Sequence, residues 1–328
     1  MAARVIARTI AAALPLWLAL ASHASCADAD YPSHPVRVLA ASAAGGNPDV
    51  VGRLLSARLA EIFSNPFVVE DVPGVGGVIA ANQTVAAPAD GYTLSLNDSG
   101  ALAINIAMNP AVKYRLKDFT PITAVATLPT VLVVKPSLPA QTLAEFIALA
   151  KAKPDGMSFG SAGVGSIHQL TMILFARQAG IRLLHVPYRG GTGIVNALLT
   201  GEVDAGWSGI SNVLALIRTG KLRALCLSVL ERDASLPDVP TCAELGLTGF
   251  NVATMLGLQS SAGVPPKVVE KIQGAVAKVL REPAMAERMK TLGIHMAENG
   301  TAAYATFMQE DLDRYAKVVD EFHLQIKP

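Results

Sequence analysis

The 328-residue sequence has no surplus of charge of either sign and few aromatic residues. Lysine and arginine number 27 against 26 aspartate and glutamate, so the formal net charge is +1, and aromatic residues make up 5% of the chain. A protein that binds nucleic acid needs a surplus of cations to release counterions from the phosphates. The composition therefore argues against a nucleic-acid partner, and the 51% hydrophobic content excludes a disordered chain.

Long apolar runs are also missing, except near the N-terminus. A membrane-spanning helix needs about 18 or more apolar residues in a row, and only Ile10 to Ala21 comes near that length. Arg4 and Arg8 precede this run and the small-x-small motif Ala27-Asp28-Ala29 follows it, which is the order of an export signal. We expect residues 1–29 to be a signal peptide, with an uncleaved membrane anchor as the alternative.

Cysteine is scarce, and the three cysteines form no metal-binding pattern. Cys26 is removed with the expected signal, which leaves Cys226 and Cys242 in an oxidising compartment where a disulfide could persist. Cys226 lies within the apolar run Leu222 to Leu230, which is typical of a buried strand in which cysteine acts as a small hydrophobe. A disulfide is therefore possible but not the favoured expectation, and we predict no metal and no cofactor.

The mature chain alternates short apolar strands with helical stretches, as α/β proteins with parallel sheets do. Two such series, followed by a helical tail, predict two lobes with a cleft between them. Strands are predicted at Val36 to Ala41, Phe67 to Glu70, Tyr92 to Leu96, Pro121 to Val125, Thr130 to Lys135, Met157 to Ser161, Leu183 to Val186, Val203 to Trp207 and Leu222 to Leu230. The helical tail is predicted at Pro265 to Arg281, Pro283 to Leu292 and Thr301 to Phe322.

Four turns rich in glycine, serine or asparagine follow predicted strands: Ser42 to Asp49, Asn97 to Gly100, Ser161 to His168 and Tyr188 to Gly193. Ligands of open α/β sheets bind at the carboxyl ends of strands, and helix N-termini there can hold an anion through backbone N–H groups. The alternatives are structural. Ser166 would cap a helix beside a solvent-facing His168, Asp49 would cap its own helix, and Arg189 would be exposed on a plain turn.

Catalytic motifs are incomplete. Gly206-Trp207-Ser208-Gly209 begins like a nucleophile elbow, but Ile210 occupies the position of its final glycine. No Walker A lysine is present, and the six histidines show no metal-ligand spacing. We expect the protein not to be an enzyme, and a hydrolase that uses Ser166 or Ser208 is the minority alternative.

Eight motifs follow one another in a fixed order along the mature chain: Tyr31-Pro32-Ser33-His34-Pro35-Val36-Arg37, Ala44-Gly45-Gly46-Asn47-Pro48-Asp49, Pro73-Gly74-Val75-Gly76-Gly77, Ala89-Asp90-Gly91-Tyr92-Thr93-Leu94, Gly160-Ser161-Ala162-Gly163, His185-Val186-Pro187-Tyr188-Arg189-Gly190-Gly191, Gly220-Lys221-Leu222-Arg223-Ala224-Leu225 and Leu236-Pro237-Asp238-Val239-Pro240-Thr241. In this order and spacing they resemble the Bug family, the TctC-like extracytoplasmic solute receptors of tripartite tricarboxylate transporters. The similarity extends over essentially the whole mature chain.

The resemblance implies an α/β, two-lobed type II periplasmic-binding-protein fold with the ligand cleft between the lobes. Lobe 1 would comprise residues 30–126 and 255–328, lobe 2 residues 127–254, and hinge strands would pass near Ala126 and Thr254. A small carboxylate (di- or tricarboxylate, acidic amino acid or aromatic acid) would be held largely by backbone N–H groups and hydroxyls. The implied ligand contacts are Ser42, Ala43, Gly46, Asn47, Asp49, Ser99, Ser161, Gly163, Ser166, His168, Tyr188 and Asp204.

The same resemblance implies a monomeric receptor in the periplasm that passes its ligand to membrane transporter subunits. A receptor that docks on a membrane signalling protein is an alternative that the sequence leaves open. Two departures from the family pattern concern the ligand. Asn47-Pro48 stands where Gly-Thr is common, which removes a hydroxyl and one backbone N–H, and Ser208-Gly209 stands where Asp-Asn is frequent.

Overall fold

The computed structural model describes residues 31–297, 300–321 and 324–325. The expected signal peptide and Cys26 lie outside the described residues. The strands are β1 (Val36–Ala40), β2 (Phe67–Asp71), β3 (Thr93–Asp98), β4 (Phe119–Val134), β5 (Ser158–Ser161), β6 (Leu184–Pro187), β7 (Ala205–Gly209), β8 (Arg223–Leu227), β9 (Ala253–Ser261) and β10 (His295–Met296). The helices are α1 (Asn47–Phe63), α2 (Val78–Val85), α3 (Ser99–Met108), α4 (Leu143–Ala152), α5 (Ile167–Ala179), α6 (Gly191–Thr200), α7 (Ile210–Arg218), α8 (Pro266–Leu280), α9 (Pro283–Thr291) and α10 (Thr301–Glu321).

One mixed sheet organises the molecule, and its long central strand β4 connects two halves. The order is β2-β1-β3-β9-β4-β7-β5-β6, and β8 and β10 also pair with β4. β4 runs antiparallel to β9 as far as Pro129, which faces Ala253. From Thr130, which faces Gly209, it pairs with β7 instead. The first half (β1, β2, β3, β9 and β10) and the second half (β5, β6, β7 and β8) are therefore joined by a change of partner along one strand.

Each half of the sheet has its own apolar core. In the first half, Val38, Leu96 and Leu256 of the strands pack with Leu55 of α1 and Ile272 of α8. In the second half, one face of the sheet packs against α6 and α7 and the other against α4 and α5. The described helices include none that is long and apolar enough to cross a membrane.

The C-terminal helix α10 contacts both cores. Tyr304 and Met308, in its first half, pack with Phe119 in the first half of the sheet. Tyr315 and Val319 belong to the cluster that contains Trp207 of β7. The lobe boundaries at 126/127 and 254/255 stay a prediction, with the paired strands β4 and β9 passing between the halves at these positions.

Several features of the chain differ from the pattern expected of the sequence, including β9, which was not among the strands predicted from the apolar runs. The separate strands predicted at Pro121 to Val125 and Thr130 to Lys135 are one strand, because Pro129 falls where β4 exchanges one partner for another and proline is tolerated at such irregular positions. A helix start was expected after the turn Asn97 to Gly100, but the extent of α3 was not predicted. Eight of its ten residues are buried, and a helix buried on most sides has no amphipathic signature.

Cys226 and Cys242 form a disulfide with a Cα–Cα distance of 5.2 Å, so the expectation that Cys226 is a plain core hydrophobe is wrong. The chain returns after β8, and the N–H of Cys242 donates to the carbonyl of Leu227. That bond, with the bridge between Leu227 and Thr241, brings the two buried thiols together. The apolar run around Cys226 indicated that this residue is buried, but no local pattern could show that the chain brings Cys242 back beside it.

Candidate functional site

A cavity lies between the two halves of the sheet and is lined by residues of both. Its volume is about 90 Å³. On this measure one water needs about 10–15 Å³, so the cavity fits a molecule of several non-hydrogen atoms. Its lining residues are Ala41, Ser42, Gly46, Asn47, Pro48, Pro73, Gly74, Gly76, Gly77, Asn97, Asp98, Ala101, Leu128, Thr130, Ala162, Ser166, Ile167, His168, Gly190, Gly191, Gly209 and Asn212.

Six helices begin at this cavity, because the N-terminal or N-cap residues of α1, α2, α3, α5, α6 and α7 all line it. α3 and α5 are capped by the side chains of Asp98 and Ser166. α1, α2, α6 and α7 begin after glycine and have no side-chain cap. Each helix N-terminus carries about half a positive charge, so these four present positive potential at the cavity without a side-chain cap among the described residues.

Three of the uncapped helices meet at one end of the cavity, which we call the amide end. Its lining residues are Ser42, Gly46, Asn47, Gly190, Gly191, Gly209 and Asn212. α1 reaches α7 there: Ser211 Oγ hydrogen-bonds Asn47 Oδ1, and a Cβ placed on Gly209 would lie 2.7 Å from Asn47 Nδ2. A Cβ on Gly191 would lie 3.1 Å from Asn212 Nδ2, so glycine lets these backbones approach.

The other end of the cavity, which we call the Asp98 end, is formed by the starts of α2, α3 and α5. Its lining residues are Gly76, Gly77, Asn97, Asp98, Ser166 and His168. Asp98 Oδ1 accepts from the N–H of Ala101 at 3.0 Å, as an N-cap does. Asn97 Oδ1 accepts from the N–H of Asp98 at 2.8 Å, and a Cβ on Gly77 would lie 3.0 Å from the same oxygen.

The charges at the cavity are few. Within the described part of the chain no lysine or arginine lines it, and Asp98 is the one acidic residue that does. Burial lowers the pKa of His168 to about 4, so its imidazole is neutral at pH 7. Asp49, in the first turn of α1, does not line the cavity. It accepts from the N–H of Gly45 at 2.8 Å and pairs with Arg53 at 2.5 Å.

Several polar atoms at the cavity are buried and have no hydrogen-bond partner among the described residues: Ser42 Oγ, Asn97 Nδ2 and His168 Nδ1. Ser42 is 8% exposed and Asn97 is 1% exposed. Buried polar groups in native proteins are normally satisfied by protein, water or ligand. Both ends of the cavity therefore offer hydrogen-bonding groups that a polar molecule would satisfy.

Side-chain hydrogen bonds hold the loop before α5, and together they determine which ring nitrogen of His185 carries the proton. The N–H of Gly165 donates to Gln169 Oε1 at 2.8 Å, so the amide nitrogen of Gln169 faces His185 Nδ1 at 3.3 Å and makes that atom an acceptor. The proton of His185 is then on Nε2 and is donated to Ser161 Oγ at 2.6 Å, while Ser161 donates to the Gly163 carbonyl at 3.1 Å. This is the opposite of the tautomer that a general base for Ser161 needs, and the pair therefore serves to shape the loop.

The two halves are in direct contact beside the Asp98 end. The buried Asn105 of α3 donates from Nδ2 to the Gly76 carbonyl of the first half and to the Gly165 carbonyl of the second half, both at 3.1 Å. A Cβ on Gly76 would lie 3.0 Å from the carbonyl of Gly165. With the contact between Asn47 and Ser211 at the other end, the two halves touch at both ends of the cavity.

The structure brings five of the sequence-predicted ligand residues to the cavity wall and places the other seven behind or away from it. Ser42, Gly46, Asn47, Ser166 and His168 line it. His168 is partly buried, so it is not solvent-facing, and Ser166 also caps α5. Ligand contact by any of these residues stays a prediction.

Those seven residues support the wall or lie elsewhere. The backbone N–H of Ala43 faces Gly190. Asp49 accepts a hydrogen bond from the N–H of Gly45. Ser161 and Gly163 belong to the hydrogen-bonded loop before α5. The Tyr188 ring packs over Gly160 and Gly193. The structure does not bring Ser99 or Asp204 to the cavity. Ser99 Oγ donates to Asp311 Oδ2 at 2.8 Å because α3 turns it towards α10, and Asp204 pairs with Lys135 at 2.7 Å at the opposite end of β7.

Sequence reasoning did not single out Asn97, Asp98, Thr130 and Asn212. Asn97 and Asp98 lie in the predicted turn Asn97 to Gly100, but the resemblance implied ligand contact only for Ser99 of that turn. Thr130 and Asn212 carry no local signal, because they reach the cavity only through the pairing of β4 with β7 and the start of α7.

Comparison with known proteins agrees with the fold. Residues 51–324 match the family model described as the tripartite tricarboxylate transporter family receptor. Protein BugT of Bordetella pertussis is 33% identical over 325 residues, which is 96% of this chain and 98% of BugT. The solved structure of MatC from Rhodopseudomonas palustris with bound malate has a TM-score of 0.85 and 32% identity, over 88% of this chain and 100% of MatC.

A second solved structure, R. palustris Rpa4515 with adipate, has a TM-score of 0.85 and 28% identity, over 89% of this chain and 98% of that one. These likenesses confirm the two-lobed periplasmic-binding-protein fold expected of the sequence. They also confirm the resemblance to Bug and TctC-like receptors. The chain belongs to the tripartite tricarboxylate transporter family of receptors, whose members are solute-binding proteins.

Proposed function

We propose that this protein is a periplasmic receptor that captures one small carboxylate in the cavity and delivers it to a membrane transporter of the tripartite tricarboxylate type. The observation that carries the proposal is the meeting of three uncapped helix N-termini at the amide end, where none of the described lining residues has a charged side chain. A carboxylate there would receive backbone N–H groups and the hydroxyl of Ser42. The relatives solved with malate and adipate support this ligand class.

Closure of the two halves would provide the affinity. Closure over a bound ligand would exclude water, and electrostatic interactions are stronger where water is absent. A hinge rotation of the strand pair β4 and β9 would open the cavity for exchange. An open and a closed form with different surfaces is what a membrane transporter would need to recognise the loaded receptor.

Binding without catalysis agrees with the polar groups of the site. Ser166 Oγ accepts from the N–H of Gln169 as a helix cap, Ser208 is fully buried in β7, and the tautomer of His185 does not suit a general base. The described residues contain no group of three or more histidine, cysteine or acidic side chains that could hold a metal ion. The expected role is therefore capture and release of an unchanged solute.

A panel of acids tests the proposal directly. Thermal unfolding of the mature protein would be followed with mono-, di- and tricarboxylates, amino acids and nicotinate. A ligand at about 100 times its dissociation constant stabilises the folded form by about 2.7 kcal/mol. If no carboxylate raises the melting temperature while another class of solute does, the proposal is wrong.

A negative charge placed at the amide end by substitution tests the same proposal. Asn212→Asp puts a carboxylate in the first turn of α7, where the helix dipole favours it and folding should not suffer. Binding of any acid should fall more than tenfold, because the new charge would face the ligand carboxylate. Asn196→Asp makes the same change on the exposed side of α6 and should leave the affinity unaltered.

A further inference from the structure

A chain of hydrogen bonds leads from His185 of β6 to the contact between the two halves of the sheet. Gln169, in the first turn of α5, lies 3.3 Å from Nδ1 of His185 and accepts from the N–H of Gly165 at 2.8 Å. The carbonyl of Gly165 accepts from Nδ2 of Asn105 in α3 at 3.1 Å. Gly165 is therefore held by its own half through its N–H and meets the other half through its carbonyl.

The position of Gly165 leaves little space for displacement. A Cβ on Gly165 would overlap Oδ1 of Asn105, and a Cβ on Gly76 would lie 3.0 Å from the carbonyl of Gly165. Ser166, the next residue, lines the cavity and caps α5. A shift of the loop before α5 would therefore change both the cavity wall and the contact between the halves.

The bonds of His185 require a neutral ring. Ser161 Oγ donates to the Gly163 carbonyl, so it accepts the proton on Nε2 of His185. Nδ1 accepts from the amide of Gln169. A second proton on Nδ1 would face the N–H groups of that amide. Turning the amide over would only move the conflict, because its nitrogen would then face the N–H of Gly165.

The groups that face His185 carry no charge that could offset the second proton. Phe159 of β5 stacks on the ring with a centroid distance of 4.9 Å, and Ser161 and Gln169 bond its two nitrogens. Burial lowers the pKa of His185. The ring is therefore neutral at pH 7 and takes up its second proton below the ordinary value of about 6.5.

The titratable residues of the elements around His185 have other surroundings. His168 of α5 lines the cavity, Arg177 lies in the last turn of α5, and Arg182, which precedes β6, pairs with Asp155. β5 contributes no titratable side chain.

Resting on the proposed function, we propose that His185 and Gln169 are positioning residues for ligand capture: they hold the loop before α5 in the shape that the closed form needs, and protonation of His185 weakens binding. In the open form the loop is released from Asn105 and Gly76 and can adapt to a charged His185. Closure in acid must then expel the proton. The affinity therefore falls as the pH drops, by up to tenfold per pH unit.

Titration calorimetry from pH 7.5 to 5.5, with the tightest-binding acid of the panel, measures this effect. His185→Gln is the reference, because its side-chain amide can still donate to Ser161 and does not titrate. Other titrating groups, including the acid itself, affect both proteins equally and cancel in the ratio of the two Kd values. This ratio, wild type over variant, should rise at least threefold between pH 7.5 and 5.5.

Gln169→Glu provides a second test. A glutamate here would accept from the N–H of Gly165 and from a protonated His185, and a carboxylate in the first turn of a helix suits the helix dipole. With His185→Gln as the reference, the affinity of this variant should rise rather than fall as the pH drops. A residue that only supports the fold would not reverse the pH profile.

Two matched controls make the same changes elsewhere. Gln178→Glu places a carboxylate at the exposed far end of α5, and His34→Gln removes an exposed histidine before β1. Both should keep the pH profile of the wild-type protein.

The outcomes separate this inference from the proposed function. If wild type and His185→Gln share one pH profile, or if Gln169→Glu keeps the wild-type fall, the positioning role is wrong and carboxylate capture stands. If only a solute of another class binds, the proposed function is wrong, and the same series with that solute decides the inference. If no solute binds, both are wrong. Should the variants fail to fold, nitrogen NMR of the wild-type protein decides, because a neutral His185 with its proton on Nδ1 overturns the inference.

Discussion

Asn105 offers the sharpest test of how this receptor closes. The two N–H bonds of its amide are shared among three carbonyls: that of Ala101 in its own helix at 2.8 Å, that of Gly76 in the first half at 3.1 Å and that of Gly165 in the second half at 3.1 Å. The bond to Gly165 links the two halves, and we expect it to exist in the closed form alone. Replacing Asn105 by alanine should therefore destabilise the closed form more than the open form.

The expected magnitude follows from the burial of these groups. Asn105 is fully buried. A net hydrogen bond contributes about 0.5–1.5 kcal/mol, and a buried acceptor left without a partner costs about 1–3 kcal/mol. In the open form water can hydrate the Gly165 carbonyl, so that cost falls on the closed form. A loss of about 1–3 kcal/mol corresponds to a Kd about 5- to 150-fold higher.

Titration calorimetry with the tightest-binding acid of the panel measures this effect, and urea unfolding without ligand measures stability. Ser260→Ala is the control, because Ser260 is also fully buried and its hydroxyl donates to the Thr93 carbonyl at 2.7 Å within the first half. Both variants should unfold more easily, but Asn105→Ala alone should lose affinity. An unchanged Kd in a folded Asn105→Ala protein would refute the closure role, as would an equal loss in the control.

Three further predictions concern stability. The disulfide closes a loop between residues 16 positions apart, so reduction of Cys226–Cys242 should lower the free energy of unfolding by about 3 kcal/mol; equal urea midpoints with and without reductant would contradict this. Burial lowers the pKa of His168 to about 4, so the unfolded chain takes up a proton at this site at a higher pH than the folded one, and stability should fall as the pH drops from about 6.5 to 4. His168→Gln should lessen that fall in a series of melting temperatures. His295 lies 2.6 Å from the buried Asp233, and this hydrogen bond raises the pKa of His295 against the opposing effect of burial. Burial alone would raise the pKa of Asp233, but bonds from His295 and Ser235 lower it. The pair should therefore stabilise the fold most between about pH 4 and 6.5, and its contribution should disappear as the pH rises through the raised pKa of His295. His295→Gln should flatten the melting temperature above pH 6, and a slope equal to that of the wild-type protein would argue against the pair.

Local sequence patterns predicted the helices, strands and turns whose conformation depends on neighbouring residues in the chain. The amphipathic helix α8 and the apolar strand β1 were predicted within one residue of their observed bounds, because periodicity reports directly which face of an element is buried. α9 was predicted from Pro283 to Leu292, one residue longer than observed. The four polar turns were also located from sequence, since glycine and serine mark the places where strands end and helices begin.

Long-range pairing decided the rest. The sequence around Pro129 reads as a gap between two strands, and only the exchange of partners from β9 to β7 makes β4 continuous. The disulfide depends on the return of Thr241 beside Leu227, a contact that no local window contains. Burial on nearly every side removed the periodic signal of α3, and with it the reason to consider Asn105.

The composition and the order of motifs by themselves determined that this is a two-lobed α/β receptor with little cationic charge to offer an anion. The tertiary structure decided how an anion could then be bound, by bringing six helix starts to one cavity and leaving four of them without a side-chain cap. It also decided that Ser99 faces α10 while its neighbour Asp98 lines the cavity. Adjacent residues at a helix start point in different directions, and which of them meets the ligand depends on what packs around the helix.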